Sequence, residues 1–227
     1  STASFTVHLN ANSGTFIAGE QLDIFAGGPG KFSVQTVTPG TGAINNDYTL
    51  YLPKVNGRWG IGIGQAMPKG GSDFSGPPPA TNWAMPKPAE VMVSGCPSAC
   101  NFTVNGASAT SHIFTISTAD KTIAGKLQDA SGNAISGAEI YAYSPSGGTG
   151  NRTQSAASGS FEIKVLEGSY NVGAFSPGIG QSKEIPVVVS GGSYYVNGSA
   201  TAATAETFII KMTKPSYTIT GTVTDGT

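Results

Sequence analysis

Few residues in this 227-residue chain are of the types that do chemistry, and their spacing limits what they can do. The two histidines, His8 and His112, are far apart in sequence and neither has a second ligand at metal-binding spacing. The His and Glu cluster that a zinc hydrolase needs is therefore missing, and His8 reads as an exposed strand residue. Serines are abundant, but no G-x-S-x-G elbow precedes a helical stretch, so a nucleophile with its base is not assembled. Cys96 and Cys100 in "GCPSAC" make a poor metal pair. They suit a disulfide closing a tight loop between a strand ending at Val93 and one beginning at Phe102; free thiols are the alternative. A loop this small removes about 2 kcal/mol of unfolded-state entropy at most. Asn101, Asn151 and Asn197 each open an N-x-Ser/Thr triplet, a glycosylation signal that Ser/Thr-rich chains also produce by chance. Phe74 and Trp83 lie in the Pro-rich stretch 66–90 and are the candidate ligand or interface residues. Trp83 could stack a sugar ring, tack its own loop onto a sheet, or help cover a seam between domains. No catalytic, metal or cofactor-binding residue is assigned, and no cofactor is expected.

The composition bounds the partners. Charged residues make up 11% of the chain and the net charge is −1, so the basic footprint required by nucleic acid or an anionic membrane surface is absent. No run of about 18 apolar residues is present to insert in a bilayer. Low charge with abundant Gly, Ser, Thr and Ala suits short strands and tight turns in an exported protein. The N-terminus lacks the pattern of a signal peptide; in an exported protein Ser1 would be a processed end.

The elements that must position these residues are repeated. "ANSGTFIAGEQLDIFA" at 11–26 reads onto "DASGNAISGAEIYAYS" at 129–144 with Gly14 on Gly132, an offset of 118 (132 − 14). The final "YTITGTVTDGT" reads onto 121–131, with Ile219 on Ile123 and Asp225 on Asp129. Alternation of apolar and polar residues marks the strands. Phe161, Ile163 and Val165, then Tyr170, Val172 and Ala174 across "EGS", read as a hairpin; so do Tyr48, Leu50 and Leu52 against Trp59, Ile61 and Ile63. "IFTI" at 113–116 and "TFIIKM" at 207–212 would be closing strands. Gly60, Gly62 and Gly64 leave one strand face bare, where a neighbouring aromatic or another backbone must pack. No stretch has a helical period. The expectation is two all-β sandwiches in tandem, 1–118 and 119–214, with a Pro-rich insertion at 66–90 in the first; 215–227 supplies the first strand of a third repeat or a strand added to another molecule. Tyr217, Ile219 and Val223 form the apolar face of that strand.

"ITGTVTD", "IAGKLQDASGNAISGAEIYAYS" and "GSFEIKVLEGSYNVGAFSPG" resemble the carboxypeptidase regulatory-like domain, an immunoglobulin-like or prealbumin-like sandwich related to the transthyretin-like and Cna-B groups. The resemblance is clearest over 119–191 and collinear over 4–95. It implies a fold found beside exported enzymes and, in tandem, in surface proteins, and it brings no catalytic residues. Cna-B relatives often carry a Lys to Asn cross-link. Lys126 would be the nucleophile here, but the relatives' acidic motif has no counterpart in "YNVGAFSPGIG", and a solvated lysine on a strand face is the other reading.

Together these point to a non-enzymatic extracellular protein forming a stalk, filament or cell-surface array, partnered by neighbouring copies or further repeats. The alternatives are an adhesin binding glycan through the Trp83 loop and accessory domains of a secreted peptidase. An array predicts that Trp83→Ala is tolerated; an adhesin predicts that it abolishes binding.

Overall fold

The computed structural model describes residues 2–66, 81–146 and 150–213, which form nineteen strands and, among the described residues, no helix. The first half runs β1 (Thr2–Ala11), β2 (Leu22–Gly28), β3 (Lys31–Val37), β4 (Ile44–Pro53), β5 (Gly57–Gln65), β6 (Trp83–Ala84), β7 (Ala89–Ser94), β8 (Asn101–Val104), β9 (Ala107–Ser108) and β10 (Ser111–Thr118). The second runs β11 (Lys121–Asp129), β12 (Glu139–Tyr143), β13 (Gly150–Gln154), β14 (Ser160–Val165), β15 (Gly168–Ser176), β16 (Gly180–Gln181), β17 (Ile185–Ser190), β18 (Ser193–Val196) and β19 (Ile209–Met212).

Each half is a sandwich of two sheets, and the sheet orders correspond strand for strand. The order β4-β1-β10 in the first is matched by β14-β11-β19 in the second, and β3-β2-β5-β7-β8 by β13-β12-β15-β17-β18. The closing strand lies parallel to the opening strand in both: Thr6 pairs with Ser111 and Ala11 with Ile116, Lys126 with Ile209 and Asp129 with Met212. Alternation puts Phe5, Val7 and Leu9 of β1 inside, against Ile24 of β2, Ile61 of β5 and Val91 of β7. The second core gathers Ile123, Leu127, Ile163, Val172 and Ile210 in the same way.

The two stretches read as hairpins are arches. β4 pairs with β1, and β5 with β2 and β7, so the residues of β4 and β5 answer one another through the core rather than along a shared ladder. β14 and β15 are likewise divided between sheets. The first large inward side chain after each arch fastens it. Trp59 gives its indole N–H to the Val55 carbonyl at 3.3 Å, and the Tyr170 hydroxyl donates to the Leu166 carbonyl at 3.1 Å. Each tie reaches back four residues, so the bend is held by a side chain where a hairpin would use ladder bonds.

The glycine face of β5 is filled by an aromatic ring. Phe25, opposite Gly62 in β2, lies with its Cζ 2.7 Å from where a Gly62 Cβ would stand. Tyr141 covers Gly173 in the same manner in the second sandwich. On the inner side, Gly125 admits the Phe161 ring and the Phe208 carbonyl, each within 2.7 Å of a Cβ position there.

Candidate functional site at the joint between the sandwiches

The largest departure from repeat symmetry in the described residues is β6. It adds antiparallel to the end of β10, Thr118 opposite Trp83 and Ser117 opposite Ala84, and Met85 then makes a bridge to Gly150 of β13, its N–H 3.0 Å from the Gly150 carbonyl. One extended segment is thus bonded to both sandwiches. It sits where the chain crosses between them, and Ala119, buried in the crossing, gives its N–H to the Asn82 carbonyl at 2.8 Å.

Asn151 is the polar centre of this joint. It is 4% exposed. Its amide nitrogen donates to the Lys164 carbonyl in its own sandwich at 2.8 Å and to the Thr81 and Trp83 carbonyls of the other at 3.1 and 3.3 Å. Its amide oxygen accepts the Thr81 hydroxyl at 3.0 Å and the Arg152 N–H at 2.8 Å. A side-chain amide suits this place because it alone offers two donors and an acceptor in one plane without a charge to desolvate.

Trp83 forms the apolar half. It is fully buried, with its ring edge-on to Phe16 at 5.8 Å, and its indole N–H donates to Glu20 at 2.7 Å. The other Glu20 oxygen accepts the Ile17 N–H at 3.0 Å, fixing the β1–β2 loop beneath the ring. Thr15 and Thr118 share a hydroxyl contact at 3.1 Å alongside. In the crossing, Lys121 holds the Asp120 carboxyl below its ordinary range by a 2.8 Å ion pair, and the Lys121 amine is raised in return.

Trp83 offers no face to a sugar, and the sugar-stacking expectation for it is corrected by its burial. For the same reason a structural role does not make Trp83→Ala tolerable: removing a fully buried indole leaves a cavity in the joint. Phe74 lies outside the described residues, as do Tyr217, Ile219 and Val223. Cys96 and Cys100 are joined in a disulfide within the β7–β8 turn, where Val93 faces Phe102. Asn56 grips that loop by accepting the Cys96 N–H at 2.9 Å. Among the acceptor triplets, Asn101 and Asn197 are exposed, whereas Asn151 is buried and fully bonded.

The remaining chemistry-bearing residues are dispersed. His8 bonds Asp47 through Nδ1 at 2.6 Å and Asn45 through Nε2 at 2.7 Å on the outer face of β1 and β4, and these bonds raise its pKa. His112 stands edge-on to Phe114 at 4.7 Å, its pKa lowered by burial. Lys126 is ion-paired with Glu206 at the surface of the second sandwich rather than buried beside an amide. Among the described residues, no three His, Cys, Asp or Glu side chains gather as a metal site. An open cleft of about 480 Å³ between the 183–186 segment and β19 presents Lys183, Lys211 and Glu184 without a converging set of donors. What the joint can do is mechanical: it fixes two sandwiches in one orientation.

Asn151, Thr81, Glu20 and Phe16 escape a reading of the sequence by local pattern. The one signal is that β13 turns polar residues inward, Asn151 opposite Ala142 and Thr153 opposite Ile140.

Residues 122–200 match the family model of the carboxypeptidase regulatory-like domain. No curated protein matches the chain. Among solved structures, the chain is similar to the C-terminal fragment of the pilus adhesin SpaC from Lactobacillus rhamnosus GG, at 12% identity over 97% of this chain and 100% of that one, with a TM-score of 0.33. It is also similar to the shaft pilin spaA of the same organism, at 9% identity over 96% and 100% with a TM-score of 0.31, and to its SpaE basal pilin, at 8% identity over 96% and 100% with a TM-score of 0.32. Likeness at this level carries no weight for what this chain does.

Proposed function

We propose that this chain, whose second sandwich is a carboxypeptidase regulatory-like domain, is a non-enzymatic extracellular structural protein, a stalk, filament or cell-surface array of sandwiches stacked end to end. The observation that carries this reading is the parallel pairing of first and last strands in both halves. A pull between the chain's entry and exit loads those ladders along the strands, so their hydrogen bonds resist in shear together rather than opening one at a time. The joint supports the same reading, because a crossing fastened by Asn151 and Trp83 passes force from β10 to β11 without a slack linker. On this reading Tyr217, Ile219 and Val223 belong to the opening strand of the next sandwich in the stack; addition to a neighbouring molecule is the alternative.

Electron microscopy of material taken directly from its source tests the proposal. Filaments with a regular spacing of one or two sandwiches are expected, and dispersed two-sandwich particles would overturn it. Single-molecule pulling gives the second check: end-to-end pulling should need more force than peeling β4 from β1 through an internal handle.

A further inference from the structure

Three asparagines, Asn101, Asn151 and Asn197, open N-x-Ser/Thr triplets, and the fold separates them. The Asn151 amide is buried and bonded to both sandwiches. Asn101 and Asn197 are exposed, and neither side-chain amide is hydrogen-bonded among the described residues. They lie at β8 and β18, strands that hold the same place in corresponding sheets, so each sandwich carries one open triplet there.

Conformation accounts for the asparagine at 197 but not for the serine that follows it. "VNG" at 196–198 reads onto "VNG" at 104–106 with an offset of 92 (197 − 105). Both asparagines and the glycines after them have positive φ, 53° and 72° in the second sandwich and 50° and 85° in the first, as a tight type I′ turn requires. Each asparagine N–H returns to the neighbouring strand, Asn197 to the Pro186 carbonyl at 2.9 Å and Asn105 to the Glu90 carbonyl at 3.2 Å. The first sandwich makes this turn with Ala107 where the second has Ser199, again an offset of 92 (199 − 107). The turn therefore needs Asn-Gly and not the hydroxyl, and it is the hydroxyl that completes an acceptor triplet. Ser199 is exposed beside a shallow hollow of about 260 Å³ lined with Val196, Thr201, Ala202 and Thr207, and Asn197 borders the cleft between the 183–186 segment and β19. A sugar joined to Asn197 meets open surface rather than packed side chains.

We propose that Asn197, at the exposed turn after β18, is a site of N-linked glycosylation, with Asn101 its counterpart on β8 and Asn151 excluded. The donor is an oligosaccharide carried on a lipid diphosphate. The Asn197 side-chain nitrogen bonds to the anomeric carbon, the bond from that carbon to the diphosphate oxygen breaks, and the amide gives up one proton to a base of the transferring enzyme. A glycan at this turn stands beside the last strand of its sheet, where a neighbouring sheet edge would otherwise approach. The inference rests on the extracellular placement proposed above and not on the stacking of sandwiches.

Glycopeptide mapping by electron-transfer mass spectrometry, on material taken directly from its source, tests the site. Sugar is expected on Asn197 and absent from Asn151. Ser199→Ala, produced in the same source, should lower occupancy of Asn197 by about tenfold or more and keep the melting temperature, since the first sandwich folds the same turn with alanine. Ala107→Ser completes the triplet at the exposed Asn105 and should add sugar there. A bare Asn197 in source material, intact or deamidated, would overturn the inference whatever Asn101 carries, and so would a glycan on Asn151, which the closed joint forbids. Filaments built from unglycosylated chain would leave the end-to-end reading standing; glycosylated but dispersed particles would remove that reading and leave this site.

Discussion

Replacing Asn151 by Ala isolates the joint, because the residue lies on one sandwich and three of its bonds reach Thr81 and Trp83 on the other. The change would take the Asn151 donor from the Lys164 and Thr81 carbonyls and the acceptor from the Arg152 N–H, in a place 4% exposed, while the Trp83 carbonyl keeps the Thr81 hydroxyl at 2.8 Å. Each buried group left unpaired costs roughly 1–3 kcal/mol, and partial relaxation brings the sum to roughly 3 kcal/mol. For a sandwich of this size that is a fall of on the order of 12 °C in melting temperature. Ser33→Ala, which removes a single bond to the Tyr51 carbonyl between β3 and β4 at an exposed place, should cost less than about 1 kcal/mol. Differential scanning calorimetry of Asn151→Ala, Thr81→Val and the double variant completes a cycle, with an expected coupling of about 1 kcal/mol or more. The two sandwiches should melt together in the parent and separately once the joint is cut. A coupling within about 0.3 kcal/mol of zero, with a single unchanged transition, would refute the idea that Asn151 fastens one sandwich to the other.

Trp83→Phe keeps a ring against Phe16 but removes the donor to Glu20, so it should cost about 1–2 kcal/mol, whereas Trp83→Ala should cost about 3–5 kcal/mol in chemical denaturation. Gly125→Ala sets a Cβ against the Phe208 carbonyl, which belongs to the backbone and cannot swing away, and should destabilise the second sandwich by about 3 kcal/mol in the same assay. The two histidines should titrate on opposite sides of 6.5 by NMR, His8 above and His112 below. His8 binds its proton more tightly when folded, so its contribution is fully present below 6.5 and fades as pH rises through the folded value; Asp47→Asn should lower that value. His112 has the opposite sign, contributing above 6.5 and losing that contribution as pH falls.

The fold was largely legible because repetition doubles every strand signal. Phe5, Val7 and Leu9 alternate as Ile123, Gly125 and Leu127 do, and a register established in one half can be checked in the other. Pairing was less legible than strand position. Leu50 and Ile61 face one interior whether β4 and β5 are joined by a hairpin or an arch, so alternation says which side is wet and not which strand is the neighbour. The discriminating residues were Trp59 and Tyr170, large side chains with a polar tip placed just after each bend. β3 and β13 were missed for a related reason: each is a sheet-edge strand carrying polar side chains on its inner face, Gln35 and Thr153 among them, so no clean alternation announces it.

The joint was illegible for a different reason. Its two halves, Thr81 to Met85 and Gly150 to Asn151, are separated by a whole domain boundary and contain no motif in common. Trp83 invites a ligand-binding reading because it stands in a Pro-rich insertion, and Asn151 a glycosylation reading because Thr153 follows it. Once the topology brings β6 to β13 both side chains turn inward, the indole buried and the amide hydrogen-bonded to both sandwiches, so neither presents a free face to a sugar in this fold. The insertion that breaks the repeat is what joins its two copies. It follows that symmetry between the sandwiches should be lowest where they touch and highest in the parallel ladders, β1 with β10 and β11 with β19, that every sandwich in a stack must keep to bear load.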